Sequence, residues 1–291
     1  MNSPEQDPQI EAAYRHCAEI TRASGSSFLA TFWMFPKQQR LALHAIYAFC
    51  RLADDIADDE QVKGNRRLLI EQWRRELENA YLGKSTHPVG IALGHAANRF
   101  RLQQAWFQDL LDGVESDLRG EPIDSFEDLE HYCYCVASTI GLLVVAVRGM
   151  QGPAVQEYAV NLGIAVQLTN ILRDIGDDAR SGRIYLARDD MKRFGVHAAD
   201  LTKLEPTEPV RLLLAVYAER ARIRYERAQH WLPLELHREA RPAQAMGAIY
   251  RQLLETVCRE GYPSLSHSIR LSKSQRLVIA ARVWLGAEES M

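Results

Sequence analysis

The chain has 291 residues, of which 47% are hydrophobic and 25% are charged, a composition that supports a sizeable globular core. The formal net charge of -3 provides none of the overall basic character that nucleic-acid-binding proteins carry. We therefore expect no nucleic-acid partner, and any anionic ligand has to be bound by a local cluster of cationic groups.

The N-terminal stretch "MNSPEQDPQIEAAYRH" lacks the basic segment and apolar core of a secretory signal. The five cysteines show no paired C-x-x-C spacing, so we expect free thiols in a reducing compartment. The longest apolar run, Thr139 to Val147, is shorter than the roughly 20 residues that a membrane-spanning helix needs. These features predict a cytoplasmic protein whose contact with a membrane would be peripheral.

Long stretches without proline predict helices. Residues 37–87 and 154–205 contain no proline and are rich in Ala, Leu, Arg, Gln and Glu. Alternating β-branched strands joined by Asn-Gly or Asp-Gly turns are missing. We predict one all-α domain over residues 1–291, with about eight to ten helices and with residues 1–18 as a loosely attached N-terminal segment. The predicted breaks are "GKSTHPVG", "RGEPIDS", "GMQGP", "LEPTEP" and "LPLELHREARP".

A first acidic cluster follows the apolar run "LALHAIYAF". On a helix, Tyr47, Arg51, Asp54 and Asp58 share one stripe, because each lies three or four residues after the last. Two aspartates one turn apart destabilise a helix by about 0.2–0.5 kcal/mol. Converging carboxylates suit Mg²⁺ bound together with a phosphate group, and Arg51 offers a guanidinium to a phosphate oxygen. Alone, the cluster is also typical of a solvated helix end.

A second polar stripe repeats this arrangement on the segment from Ala165 to Leu186. It consists of Gln167, Asn170, Asp174 and Asp178. The cationic residues beside it are Arg173, Arg180 and Arg183. The plain alternative is a surface helix in which Arg173 pairs with Asp177, a contact that would stabilise little. Two matched Asp pairs, with an amide on the same stripe, favour a site for a metal–diphosphate complex.

The two clusters resemble the D-x-x-x-D motifs of the squalene/phytoene synthase family, the head-to-head trans-isoprenyl diphosphate synthases. The similar stretches, in the family's order, are "SGSSF" from Ser24, "YAFCR" from Tyr47, "DDIAD" from Asp54, "YCYCVASTIGL" from Tyr132, "NILRDIGDD" from Asn170 and "GRIYL" from Gly182. One departure is that Ala187 follows the last stretch, where many members have proline. We expect this to affect the adjacent loop and not metal binding.

The resemblance implies an all-α isoprenoid-synthase fold, a helical bundle around a central apolar cavity. It implies that two prenyl diphosphate substrates are held by Mg²⁺ ions, whose protein ligands would be Asp54, Asp58, Asn170, Asp174 and Asp178. The residues expected to contact diphosphate or its metal shell are Ser26, Ser27, Tyr47, Arg51, Gln167, Asn170 and Arg173. The residues expected to line the reaction cavity are Tyr132, Val136 and Tyr250.

The activity implied by the resemblance is the condensation of two farnesyl diphosphates to presqualene diphosphate, as in bacterial hopanoid and triterpene biosynthesis. The alternative is phytoene synthesis from two geranylgeranyl diphosphates in carotenoid biosynthesis. The proton acceptor is left open among the released diphosphate, Tyr47 and Tyr132. The sequence contains no G-x-G-x-x-G fingerprint. It leaves open whether NADPH binds for an onward reduction to squalene, and which oligomeric state the protein adopts.

Two readings of a different class remain. A non-catalytic assembly factor on this fold would have lost one or both Asp pairs, whereas all four of these aspartates are present. A helical scaffold with acidic surfaces would not bind prenyl diphosphates in the presence of magnesium.

Overall fold

A computed structural model describes residues 7–24, 27–58 and 64–286, and these residues contain no β-strand. The helices of the first half of the chain are α1 (Pro8–Ala23), α2 (Lys37–Asp58), α3 (Arg66–Tyr81), α4 (Pro88–Phe100), α5 (Gln104–Arg119), α6 (Phe126–Cys133) and α7 (Thr139–Val147). Those of the second half are α8 (Pro153–Arg180), α9 (Arg188–Phe194), α10 (Ala198–Leu201), α11 (Glu208–Trp231), α12 (His237–Arg259) and α13 (Lys273–Leu285). The prediction of an all-α fold is confirmed, although the helices outnumber the expected eight to ten.

Two compact units make up the chain. The first consists of Met1–Arg119 and Leu142–Gln151, and the second of Gly120–Gly141 and Gly152–Met291. The single domain and the central apolar cavity expected from the sequence stay predictions.

In the first unit, α2 packs against α1, α3, α4 and α5. The indole of Trp73 stacks on Phe49 with the ring centroids 5.0 Å apart, and its Nε1 donates to the Phe49 carbonyl. We expected the N-terminal segment to be loosely attached up to about residue 18. Instead α1 begins at Pro8, capped by the Asp7 carboxylate, and packs on α2 and α4, because Tyr14 and its apolar neighbours are buried.

In the second unit, α8 contacts α6, α10, α11, α12 and the 3₁₀ turn Pro263–Leu265. Each predicted break overlaps a chain segment between helices, but several extend into a helix, and the last was expected to reach Pro242. There α12 already begins at His237, so Pro242 lies inside the helix, near its N-terminal end. Proline is tolerated in the first turn of a helix, where the N–H would have no intrahelical acceptor, and Pro242 lies just beyond that turn.

A π-helical turn, Tyr134–Ser138, joins α6 to α7. The helical stretch Phe126–Val147 therefore has 22 residues, longer than the apolar run in the sequence, and an 18-residue window within it has a mean hydropathy of 1.5. By length and composition alone it could cross a membrane. Just over half of that window (56%) is buried within the protein, as in the core helices of many globular proteins, so the stretch is weak support for a membrane span.

Candidate functional site

The second acidic motif lies on one side of α8. Leu168, Ile171, Leu172 and Ile175 are buried on the adjoining side of this helix. The predicted site residues on α8 are all half-buried: Gln167, Asn170, Arg173, Asp174 and Asp178. The helix is thus fixed by its apolar face, and it presents a polar face that is neither fully solvated nor fully buried.

Arg173 and Asp174 form a two-pronged ion pair. The Arg173 Nε donates to Asp174 Oδ1 at 2.8 Å, and its Nη2 donates to Oδ2. The side chains are 24% and 29% exposed. We expected Arg173 to pair with Asp177 if this were an ordinary surface helix. Asp177 is instead bound by Arg180, at 2.7 Å.

The protonation state of Arg173 follows from its surroundings. Burial lowers the pKa of the guanidinium, but the hydrogen bonds and charge of Asp174, together with the nearby Tyr250 hydroxyl, outweigh burial and leave the pKa above its ordinary value. Arg173 therefore remains cationic, which is the state that binds a diphosphate oxygen. Tyr250, on α12, is half-buried and reaches the same charged group.

Asn170 lies one helical turn before Asp174. Its Nδ2 donates to Gln167 Oε1 at 3.2 Å. Its Oδ1 is buried and finds no donor among the described residues. A buried carbonyl oxygen without a donor costs about 1–3 kcal/mol, so such an atom is expected where a ligand or ion completes the site.

A backbone close approach supports this part of α8. Gly176 packs directly on the turn Pro263–Leu265, because a Cβ there would lie 2.5 Å from the Leu265 carbonyl oxygen. Arg180 Nη1 donates to that same oxygen at 2.6 Å. Three residues after the turn, the Ser268 hydroxyl donates to Asp174 Oδ1 at 3.4 Å. The segment after α12 therefore holds both the helix and the carboxylate.

A cleft at the end of α8 brings Asp178 together with Arg183 and Tyr185. The Tyr185 ring stacks on Tyr132 with the centroids 5.1 Å apart. The predicted cavity residues Tyr132 and Val136 are half-buried and lie on α6 and the π-helical turn that follows it. Two residues beyond Val136, the Ser138 hydroxyl donates to the carbonyl of Val160 on α8 at 2.8 Å. These contacts tie the tyrosine pair to the helix of the second motif.

The first acidic motif lies at the end of α2 in the other unit. Asp54 is exposed, whereas Arg51 pairs with Asp55 at 2.6 Å. The Asp58 backbone closes α2, but its side chain lies outside the described part of the structure. The end of α2 also receives a hydrogen bond from Arg66 Nη1 to the Ala57 carbonyl, at 2.5 Å. This unit therefore contributes an exposed acidic helix end with an arginine beside it.

Tyr47 is half-buried on α2, and its hydroxyl donates to Ser24 Oγ at 2.9 Å. Ser24 belongs to the stretch "SGSSF", in which we expected Ser26 and Ser27 to contact diphosphate. Ser26 and the Ser27 side chain lie outside the described residues. The structure thus connects this stretch to the tyrosine through a serine that the sequence analysis did not choose.

The family implied by the motifs uses Mg²⁺, so the donors present have to suit a hard cation. Asp174, Asp178 and the Asn170 Oδ1 are oxygen donors one turn apart on α8, and Mg²⁺ binds through one or two carboxylates with further oxygens from water and substrate. Among the described side chains, no three His, Cys, Asp or Glu residues converge as a complete cage.

Sequence reasoning missed three side chains at these sites. Ser24 and Tyr185 both lie in stretches that the resemblance covers, so position in a motif was an available signal. Ser268 lies 94 residues from the carboxylate that it contacts, and no local pattern marks it. The cysteines behave as expected: all five are free, and burial raises the pKa of the Cys50 thiol beside Asp54, which keeps it protonated.

Comparison with known proteins places these motifs in a family. The model described as "Squalene/phytoene synthase" matches residues 21–276. A phytoene synthase of Mycobacterium bovis is 36% identical over 269 residues, which are 91% of this chain and 88% of that protein. A crystal structure of a dehydrosqualene synthase in complex with a ligand superimposes with a TM-score of 0.85 at 29% identity, covering 96% of this chain and 99% of the other. A squalene synthase from Alicyclobacillus acidocaldarius gives a TM-score of 0.80 at 27% identity, covering 88% and 97%.

Proposed function

Because the chain belongs to the squalene/phytoene synthase family, whose members are prenyltransferase-type enzymes, we propose that it condenses two prenyl diphosphates head to head. The observation that carries the proposal is the polar face of α8. On this face the buried Asn170 Oδ1 has no hydrogen-bond donor among the described residues. It lies one helical turn from the Asp174 carboxylate, which is paired with the cationic Arg173. An ordinary surface helix has no reason to keep such an atom unsatisfied.

We assign the metal ligands as Asp54, Asp58, Asn170, Asp174 and Asp178. Enzymes of this family generally use a divalent metal such as Mg²⁺. When bound, Mg²⁺ would supply electrostatic stabilisation of the negative charge that develops on departing diphosphate.

The arginines complement that charge. Arg173 is cationic, and its fork now holds Asp174. This guanidinium is the group on α8 that would donate to a diphosphate oxygen, and Ser268 holds one oxygen of the Asp174 carboxylate. Arg51, paired with Asp55, would offer the same kind of donor at the first motif. Gln167 orients the Asn170 amide, because its Oε1 accepts a hydrogen bond from Asn170 Nδ2.

The reaction begins when the C1–O bond of one allylic diphosphate breaks and the electron pair leaves with diphosphate. The C2–C3 double bond of the second substrate attacks the allylic cation, and loss of a proton closes a cyclopropane. The stacked pair of Tyr132 and Tyr185 offers aromatic faces, which stabilise a nearby cation by about 0.5–2 kcal/mol. Val136, beside this pair, and Tyr250 help to exclude water, which would convert the cation to an alcohol.

Tyr47 is a candidate to accept the lost proton in relay with Ser24, to which its hydroxyl donates. Tyr132 and the released diphosphate are the other candidates. A Tyr47→Phe variant distinguishes them, since it retains the ring and removes only the relay. If Tyr47 takes the proton, turnover falls by about two to four orders of magnitude, the usual contribution of a general base.

For the chain length we propose farnesyl diphosphate as substrate and presqualene diphosphate as product. The support is the high structural similarity, over almost their whole length, to a dehydrosqualene synthase and a squalene synthase. Geranylgeranyl diphosphate, giving phytoene, is the second candidate, because the 36%-identical relative is a phytoene synthase. The prenyl chains of these substrates differ by one isoprene unit.

Incubation of the purified protein with each diphosphate and Mg²⁺, with and without NADPH, tests the assignment. Presqualene diphosphate formed without NADPH supports the first proposal, and squalene formed only with NADPH would add the reduction. Phytoene from geranylgeranyl diphosphate, with no product from farnesyl diphosphate, overturns the C15 assignment. A protein that forms no product from either substrate overturns the condensation itself and supports a non-catalytic role.

Paired variants on one helix test the site. Asp174→Asn should abolish turnover, because it removes a metal-binding charge, whereas Asp177→Asn should leave turnover within about twofold of the wild type. Asp177 is 59% exposed and pairs with Arg180 at the surface. Asp54→Ala should likewise abolish turnover without loss of helical circular dichroism. Wild-type rates in both Asp174→Asn and Asp54→Ala would refute the metal-site assignment.

A further inference from the structure

The last helix, α13, has two different apolar faces. Ala280 and Val283 are buried where α13 packs against α12. A second apolar stripe faces outward, and its large members are Leu277, Val278, Trp284 and Leu285. On a helix these four fall within an arc of about 120°, because Leu277 and Trp284, like Val278 and Leu285, lie about two turns apart. An ordinary surface helix carries polar side chains on its outer face.

The end of this stripe lies beside α12. The Arg241 guanidinium lies 5.9 Å from the centroid of the Trp284 ring, so the first turns of α12 meet the end of α13. We refer to the exposed apolar residues Leu277, Val278, Trp284 and Leu285 as the α13 face.

Positive charge borders the α13 face. From Ser264 to Gly286 the chain contains no aspartate or glutamate. Arg270, Lys273 and Arg282 are exposed within this stretch. Lys273 and Arg282 fall on opposite edges of the outward stripe when the helix is viewed down its axis. An outward apolar stripe with tryptophan, bordered by basic side chains, is the pattern of a helix that lies in a membrane interface.

We infer that the α13 face docks on the surface of an anionic lipid bilayer. The leucines and the Trp284 indole would enter the boundary between headgroups and acyl chains, and the flanking cations would contact lipid phosphates. Charge complementarity selects this occupant over a second copy of the chain, since two copies would bring the same cationic borders together. The inference rests on α13 and its neighbours, and it holds whether or not the condensation proposed above is correct.

Vesicle co-sedimentation of the full chain tests the inference. Vesicles of phosphatidylcholine with 30 mol% phosphatidylglycerol, roughly the anionic fraction at which polybasic surfaces bind, are compared with vesicles of phosphatidylcholine alone. We expect binding to the anionic vesicles that weakens as salt is raised, and at least about tenfold weaker binding to the neutral ones. Equal binding to both, or binding to neither, overturns the inference.

Matched double variants locate the contact. Leu277→Gln with Leu285→Gln removes two leucines that are 60% and 79% exposed, and should weaken vesicle binding by about tenfold or more. Leu68→Gln with Leu82→Gln removes two leucines of the first unit that are 59% and 65% exposed, and should change binding by less than about twofold. All four side chains are exposed, so folding should be retained, as circular dichroism can verify.

Lys273→Glu with Arg282→Glu should reduce binding to anionic vesicles and remove most of its salt dependence. Analytical ultracentrifugation of the same variants examines the competing occupant. If the leucine substitutions on α13 abolish self-association and leave vesicle binding intact, the face is an interface between copies and the inference is wrong. It is equally wrong if both leucine pairs weaken vesicle binding to the same extent.

Discussion

Gly176 lies on α8 between the two aspartates of the second motif, at a position where the structure leaves no room for a side chain. A Cβ there would lie 2.5 Å from the Leu265 carbonyl oxygen and 2.6 Å from that of Ser264. Both obstructing atoms belong to the backbone, so neither can turn away as the end of a flexible side chain would. A Gly176→Ala variant must therefore move either α8 or the turn Pro263–Leu265.

Two opposing effects determine how much stability the Gly176→Ala variant loses. Alanine favours the helix over glycine by about 0.8–1 kcal/mol. Overpacking of a tight contact costs about 1–3 kcal/mol, and the upper part of that range applies where backbone meets backbone. We expect Gly176→Ala to lower the free energy of unfolding by about 1–2 kcal/mol. Activity should fall as well, because the displaced segment carries Ser268, which holds the Asp174 carboxylate.

Gly247→Ala on α12 is the matched control. Its Cβ would meet only the side chain of Leu162, with the nearest atom at 2.9 Å, and a leucine methyl can give way. The same gain in helix propensity should leave this variant between neutral and about 1 kcal/mol more stable. Urea unfolding followed by circular dichroism compares the two midpoints. A Gly176→Ala midpoint equal to or above that of Gly247→Ala would refute the close-packing argument.

Three further predictions follow from contacts away from the reacting groups. Ala187→Pro removes the N–H that donates to the Tyr217 hydroxyl at 2.8 Å, which is destabilising. The φ of -61° at this position suits proline, which is stabilising. We expect the free energy of unfolding to stay within about 0.5 kcal/mol of the wild type, because the two effects cancel. A loss above about 1.5 kcal/mol in thermal or urea unfolding would contradict this. Arg224→Met leaves the Glu130 carboxylate without its guanidinium and should lower the free energy of unfolding by about 1–3 kcal/mol. Adding Glu130→Gln should restore part of this loss. A double variant with no recovery would argue against the ion pair. Burial, with nearby arginines, lowers the pKa of His44 to about 4, so its contribution to stability is complete above about pH 6.5 and is lost as the pH falls through 4. For a fully buried ring, the lowered pKa would correspond to about 3.4 kcal/mol of pH-dependent stability. We expect roughly half of this stability change, because the ring is only half-buried. Unfolding of His44→Gln should vary less between pH 7 and pH 4 than unfolding of the wild type, and parallel pH profiles would show that another group titrates.

The sequence predicts those features of the fold that depend on neighbours along the chain. The spacing from Gln167 to Asp178 places these side chains on one face of α8 because a helix repeats every 3.6 residues, whatever surrounds it. Glycine and proline mark most of the helix ends for the same local reason. The all-α fold and the polar stripe could therefore be read from the sequence, and the family resemblance supplied their chemistry.

Contacts between distant segments could not be predicted in this way. Nothing near Asp174 indicates that Ser268 approaches it, or that Gly176 meets the backbone after α12, since both depend on tertiary packing. The partner of Arg173 also depends on tertiary surroundings. A solvated helix would favour the pairing with Asp177 one turn away, but the half-buried setting of Arg173 leaves Asp174 as the carboxylate in reach of both its nitrogens.

The same packing explains why α8 can keep features that a purely structural helix would lose. Asp174 and Asp178 repel each other one turn apart, and the Asn170 oxygen has no donor among the described residues, so together these groups cost the helix roughly 1–4 kcal/mol. Leucine at position 170 would remove the larger part of that cost. The burial of Leu168, Ile171, Leu172 and Ile175 on the other face supplies several times as much stabilisation, at about 1.5–3 kcal/mol for each side chain. The helix can therefore keep an unsatisfied, charged face, and a cation bound there would restore to the complex the free energy that the unliganded fold lacks.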